Sequence, residues 1–164
     1  MTRMSRLICL AVLLFPVPGL AESSMSRLTP VNPPHVNIPG VSQAMRVSKG
    51  DLLFVSGQVP VGPDGIAAGD LAAQANQVLA NFSATLEASG ADWSDVARVT
   101  IYVRDYDPKD LELLRTIRDK WIETDTPPAS ALVGVSALFH PDALIEIDGI
   151  AVLPDKEAAP SASE

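Results

Sequence analysis

From residue 71 to residue 86 apolar side chains recur at steps of three and four: Leu71, Ala75, Val78, Leu79, Phe82 and Leu86. Gln74, Gln77, Asn81 and Glu87 fall largely outside this stripe, which predicts an amphipathic helix laid on a flat partner. Asp70 is its expected N-cap, and Gly90 the expected residue just past its end. A second helix should open at Asp107-Pro108, with Asp107 as cap and proline in the first helical position. It should run to about Glu123, because Pro127-Pro128 forbids continuation. Its apolar arc uses Leu111, Leu114, Ile117 and Trp121.

The strand signals lie around these helices. Met45–Val47, the turn Lys49-Gly50-Asp51 and Leu52–Val55 read as a hairpin. Ser56-Gly57-Gln58 ends it, and a loop with Pro60, Pro63, Asp64-Gly65 and Gly69 follows. Ala97–Val103 is rich in β-branched residues. Ala131–Val135 and Ala143–Leu153 are two more β runs, separated by His140-Pro141-Asp142. The resulting order, β-β-α-β-α-β-β, implies an α+β fold with both helices on one face of a sheet. Nothing in the chain then covers the other face. The last strand alternates polar and apolar residues on both sides, which points to burial against another subunit.

The ends depart from this pattern. Arg3 and Arg6 precede the apolar run Leu7–Phe15, and Gly19-Leu20-Ala21 supplies small residues before a cut, so residues 1–21 read as a secretory signal peptide. Nine apolar residues are too few to span a bilayer, which takes about 20. The mature protein is therefore expected to be periplasmic or secreted, without a membrane anchor. A start at Met25 would give a cytoplasmic form instead. Residues 22–35 form a proline-rich extended lead-in, residues 36–154 the folded domain, and residues 155–164 a flexible tail.

A chain of 164 residues, 47% apolar and 20% charged, suits one globular domain with a real core. Cys9, inside the signal, is the sole cysteine, so the mature protein has no thiolate chemistry. Cleavage would take the formal charge from −8 to −10 through loss of Arg3 and Arg6. So acidic a body repels nucleic-acid phosphates. His35 and His140 lack metal-ligand spacing, and Asp105, Asp107 and Asp110 lack the glycine and terminal glutamate of a calcium loop. Trp93 and Trp121 read as packing residues.

The second helix carries one unusual feature. On a 100° wheel Arg118 falls inside the apolar arc, and Arg115 just outside its edge. A guanidinium in a packing stripe is costly unless it is paired or faces a polar cleft. Either residue could present a cation to a ligand, or both could reach acidic neighbours such as Glu112, Asp119 or Asp125.

Particular residues also carry a family resemblance. Phe54-Val55-Ser56-Gly57-Gln58-Val59-Pro60, Gly65, Gly69, Gln74, Leu79, Asn81, Gly90, Asp95, Val96, Thr100, Asp105, Pro128-Ala129, Val133-Gly134-Val135 and Ile145-Glu146-Ile147 resemble, in order and spacing, the RidA (YjgF) family. The resemblance covers residues 36–154. It implies a chorismate-mutase-like fold, a homotrimer with clefts between subunits, and hydrolysis of reactive enamines and imines to 2-oxo acids and ammonia without metal or organic cofactor. The partners implied are other copies of the chain and a small 2-oxo or imino compound.

Three departures mark a divergent branch. The deaminating members' Pro-Ala-Arg reads Pro128-Ala129-Ser130, so the arginine that clamps a substrate carboxylate is absent at Ser130. A pocket tyrosine reads Val41, and a frequent asparagine on the second helix reads Arg115. The resemblance makes Glu146 the candidate catalytic group, orienting water, or else an ion-pair partner at a subunit interface. Ser56 and Gly57 could offer backbone donors to a ligand, or simply end a strand. Arg115 and Ser130 complete the candidate ligand-binding set. Deamination of a C=N compound by an altered site is the leading functional expectation, with non-catalytic metabolite binding or a chaperone-like role as alternatives.

Overall fold

The apolar stripe becomes helix α1, Leu71–Ala88, which buries Gln74, Ala75, Val78, Leu79, Phe82 and Leu86. In this computed structural model, residues 26–36, 38–66 and 69–154 are described. The expected signal peptide, the start of the expected lead-in and the expected tail from residue 155 lie outside them. Asp70 caps α1 by accepting a hydrogen bond from the Ala73 N–H. At the other end Gly90 sits at φ +75°. Its N–H donates to the Glu87 carbonyl, and that of Ala91 to the Leu86 carbonyl, which closes the helix with a left-handed turn.

The strands are β1 Leu28–Val31, β2 Ala44–Val47, β3 Leu52–Gln58, β4 Val61–Gly62, β5 Gly65–Ile66, β6 Val96–Arg104, β7 Ala129–Val135 and β8 Ile145–Val152. The main sheet runs in the order β3-β8-β6-β7. β8 is antiparallel to both β3 and β6, while β6 and β7 are parallel. The connection from β6 to β7 carries helix α2, Leu111–Arg118. The fold is thus mixed α+β, with two helices and one principal sheet among the described residues.

Both helices feed a single core. Val55 of β3, Val99, Ile101 and Val103 of β6, and Ile145, Ile147 and Ala151 of β8 join the buried residues of α1 with Leu114 and Ile117 of α2. Side chains alternate across a strand, so Phe54, Thr100, Tyr102, Glu146 and Asp148 lie on the opposite, outer face. There Phe54 is 71% exposed, and Leu52 and Val133 are also open. Phe82 has no exposed surface at all. Full burial of one such side chain is worth roughly 1.5–3 kcal/mol. Trp93 stacks on it at 4.8 Å between ring centroids. The Trp93 Nε1–H donates to Ser83 Oγ at 2.6 Å.

Several local expectations need correction. β2 pairs with β1, not with β3, and β3 pairs with β8. The turn at Gly50 exists, but the long apolar β8 outcompetes the nearby short strand as partner for β3. The proline-rich lead-in contains β1 despite Pro30. An edge strand tolerates proline because it has an unpaired side. β4 and β5 form a short hairpin across Pro63-Asp64, where only a loop was expected. Asn81 on α1 pins its base by donating to the Val59 and Val61 carbonyls. Helix α2 proper is shorter than expected. A 3-10 turn at Pro108–Asp110 precedes it, and after Arg118 the chain continues in turns that bury Ile122.

Gly149 marks the tightest point of the core. A Cβ there would lie 2.7 Å from Phe82 Cζ and 2.8 Å from the Arg98 carbonyl oxygen. Gly149→Ala is therefore expected to destabilise by about 1–3 kcal/mol. Urea unfolding at one protein concentration measures this. The Phe82→Leu/Gly149→Ala double variant should lose less than the sum of the two single losses, because the two side chains compete for one space.

Candidate functional site

A cleft of about 190 Å³ opens between α2 and β7. Ile38, Val41, Ile101, Leu111, Leu114 and Leu132 form its apolar wall, and Arg115, Arg118 and Ser130 its polar part. Chain order explains the gathering. Ser42 is fully buried, and its hydroxyl donates to the Pro127 carbonyl at 2.5 Å. Its N–H donates to the Pro128 carbonyl, and an isolated parallel bridge joins Ser42 to Ala129. This seam lays residues 38–41 along the start of β7, beside Ser130.

The two arginines differ in kind. Arg118 is only 9% exposed. Its Nη2–H and Nε–H both donate to Asp119 Oδ1, at 2.7 and 3.0 Å. Its guanidinium lies against Gly40, where any Cβ would collide with it. The reading of Arg118 as paired with an acidic neighbour therefore describes the observed contact, although the group also lines the cleft. Arg115 is half-buried, and its side chain has no hydrogen-bond or ion-pair partner among the described residues. Neither does the Ser130 hydroxyl.

Glu146 sits elsewhere, on the outer face of the sheet. Between Val55 and Gln58 the register of β3 against β8 shifts, so Ser56 and Gly57 together oppose Asp148. Such a bulge bends the strand and re-aims its residues. The two residues therefore lie inside β3 rather than ending it. A Cβ at Gly57 would run into Glu146 Oε1, so only glycine lets the carboxylate lie across the bulge. Glu146 has no hydrogen-bond or ion-pair partner of its own among the described residues. Burial first, and the nearby Asp148 charge second, raise its pKa above the usual glutamate value.

Asp148 and Tyr102 belong to this cluster, and sequence reasoning passed over both. The Tyr102 hydroxyl donates to Asp148 Oδ2 at 3.0 Å. That bond, ahead of burial and charge repulsion, raises the Tyr102 pKa. The signal was available: Asp148 is two residues beyond Glu146 on the same face, and Tyr102 pairs directly with Glu146 across β6 and β8.

The candidate residues thus fall into two groups. Arg115 and Ser130 meet in the cleft on the helix side, whereas Glu146 and Gly57 meet on the outer face with Ser56 beside them. One chain does not bring the two groups together. Chemically, the first group can bind an anion through paired guanidinium donors. The second offers a carboxylate whose raised proton affinity suits proton transfer to and from water. His140 instead lies in the loop before β8, 3.8 Å from Asp142 Oδ2.

Comparison with known proteins gives a consistent picture. The profile of the endoribonuclease L-PSP family matches residues 37–153. Protein DfrA of Myxococcus xanthus is 42% identical over 113 residues, covering 68% of this chain and 83% of that protein. The 2-iminobutanoate/2-iminopropanoate deaminase of Escherichia coli K12 is 36% identical over 109 residues, covering 65% and 83%. Among solved structures, the Rid-family protein YyfB of Yersinia pestis superposes with a TM-score of 0.71 at 33% identity, covering 78% of this chain and all of that one.

The position of Glu146 generates a pH prediction. A carboxyl whose native pKa is raised contributes most to stability below its unfolded pKa, and that contribution is lost as pH rises through the native value. At neutral pH Glu146 therefore opposes folding. Glu146→Gln should raise the melting temperature at pH 7, with the gain shrinking as pH falls through the carboxylate range. Asp148→Asn should lower the Glu146 titration midpoint, read by carboxyl-carbon NMR. An unchanged midpoint would remove Asp148 as a cause.

Proposed function

The chain belongs to the endoribonuclease L-PSP family, the RidA (YjgF) group, and from that premise we propose that it hydrolyses small enamine or imine compounds. Water adds to the C=N carbon as Glu146 takes its proton. That proton passes to nitrogen to give a carbinolamine. The proton of its hydroxyl then moves to nitrogen, the C–N bond breaks as the C=O forms, and ammonia leaves a carbonyl product. The observation that carries this reading is Glu146 itself. It is a carboxylate of raised pKa without a hydrogen-bond or ion-pair partner among the described residues, lying across a glycine that admits close approach. The Escherichia coli relative's name, an imino-acid deaminase, supports the same chemistry. The formal charge of −8 argues against polynucleotide substrates.

The site in this reading is altered and shared. Ser130 stands where the deaminating branch carries its arginine, so the ligand's cation comes from Arg115 on α2. Because Arg115 and Glu146 lie on opposite faces, the working cleft forms between subunits of a homotrimer, whose sheets bury Phe54, Leu52 and Val133 against one another. Export, with a cut after Ala21, places the assembly outside the cytoplasm. The substitution at Ser130 also favours a second reading, in which the same cleft binds a metabolite without turning it over.

Ammonia release from freshly generated imines separates the two. Glu146→Gln is expected to slow release by about 100-fold or more. Equal release by both proteins would sink the catalytic reading and leave the binding one. The shared cleft has its own test in sedimentation velocity. The wild-type chain should run at three times its monomer mass, and Phe54→Asp should shift it toward monomer. A protein that stays monomeric at every concentration would remove the shared site.

A further inference from the structure

We propose that the cleft between α2 and β7 selects a small monocarboxylate bearing a branched aliphatic or aromatic side chain, an inference that rests on the ligand-cleft reading above. Arg115 holds the carboxylate, and the Ile38, Val41 and Leu132 wall takes the side chain.

Charge accounting assigns the anion to Arg115. Arg118 is already neutralised by two hydrogen bonds to Asp119. Arg115 lines the same cleft with no acidic or hydrogen-bonded partner among the described residues. The Ser130 hydroxyl, equally unpartnered, is left to donate to a carboxylate or carbonyl oxygen. One uncommitted cation and one hydroxyl suit a monoanion. A dicarboxylate would leave its second charge against aliphatic carbon, in a chain of formal charge −8 that repels it further.

Size and lining assign the rest of the ligand. Six aliphatic side chains face a space of about 190 Å³. An apolar cavity of about 150 Å³ accepts benzene. The cleft therefore has room for a ring or an isobutyl group, and a lone methyl would leave much of the wall facing water. Two short side chains keep it open. Val41 and Ser130 both line the space.

Calorimetric titration of the full chain with 4-methyl-2-oxopentanoate, pyruvate and 2-oxoglutarate tests the assignment without any turnover. The branched acid should bind about tenfold tighter than pyruvate or better, since each buried methylene strengthens binding. 2-Oxoglutarate should bind more weakly than the branched acid. Arg115→Gln, checked for an unchanged circular dichroism spectrum, should weaken the branched acid about tenfold. Ser130→Leu should narrow the cleft and weaken the branched acid more than pyruvate. Equal affinities for all three acids, or an Arg115→Gln protein that binds as tightly as wild type, overturn the selectivity. Failure of all three acids to bind overturns the cleft reading itself. The titration reads binding alone and ammonia release reads turnover, so a wild-type protein that binds the branched acid without hydrolysing imines sinks the catalytic reading and leaves this inference standing.

Discussion

Side chains on the four-stranded sheet alternate between two faces, and among the described residues helices cover only one of them. On the covered face α1 and α2 meet the inward residues of β3, β6 and β8 in one continuous core. The contact is close enough that Gly149 must lack a side chain for Phe82 to fit. On the other face the same strands present Phe54, Tyr102, Glu146 and Asp148. The pleat admits no partial solution, because a one-residue slip would exchange the two sets. Core, exposed aromatic surface and the Glu146 carboxylate are therefore fixed together by a single choice of register.

The electrostatics follow from the same division. An acidic chain disfavours anions at a distance, so an anion site must be built from near contacts in a weakly solvated place. The cleft beside β7 has that character. One arginine is fixed by Asp119, the other is left uncommitted, and the remaining walls are mainly aliphatic. On the outer face the arrangement is reversed. Glu146 and Asp148 repel one another, and the Tyr102 hydroxyl binds Asp148 rather than Glu146. Burial, and after it the Asp148 charge, raise the proton affinity of Glu146.

Helix α1 was legible in the sequence because its stripe, cap and terminating glycine all agree, and no distant partner competes with a helix for its own hydrogen bonds. Strand partners were less so. Nothing local says that β3 should leave β2 for β8, a choice made by apolar surface roughly ninety residues away. The prolines masked β1 because their cost depends on whether the strand has a free edge, which is a fact about neighbours. The site divides in the same way. Arg115 and Arg118 stood out on the helical wheel, and the family pattern pointed to Glu146 and Ser130. The Tyr102–Asp148 pair beside Glu146 did not stand out, because Tyr102 reaches Asp148 only through the pairing of β6 with β8.

On the proposed reading, separating the two groups across the sheet has a chemical consequence. A carboxylate able to take protons and a guanidinium able to hold carboxylates would pair with each other if one subunit brought them together, and each would then lose the property that makes it useful. Placing Glu146 and Arg115 on opposite faces keeps both uncommitted until assembly and ligand bring them to one cleft. The ligand carboxylate then neutralises the arginine, leaving Glu146 free to accept a proton from water. The same physical fact that leaves one face of the sheet uncovered among the described residues thereby preserves two opposite charges, neither with a partner among those residues.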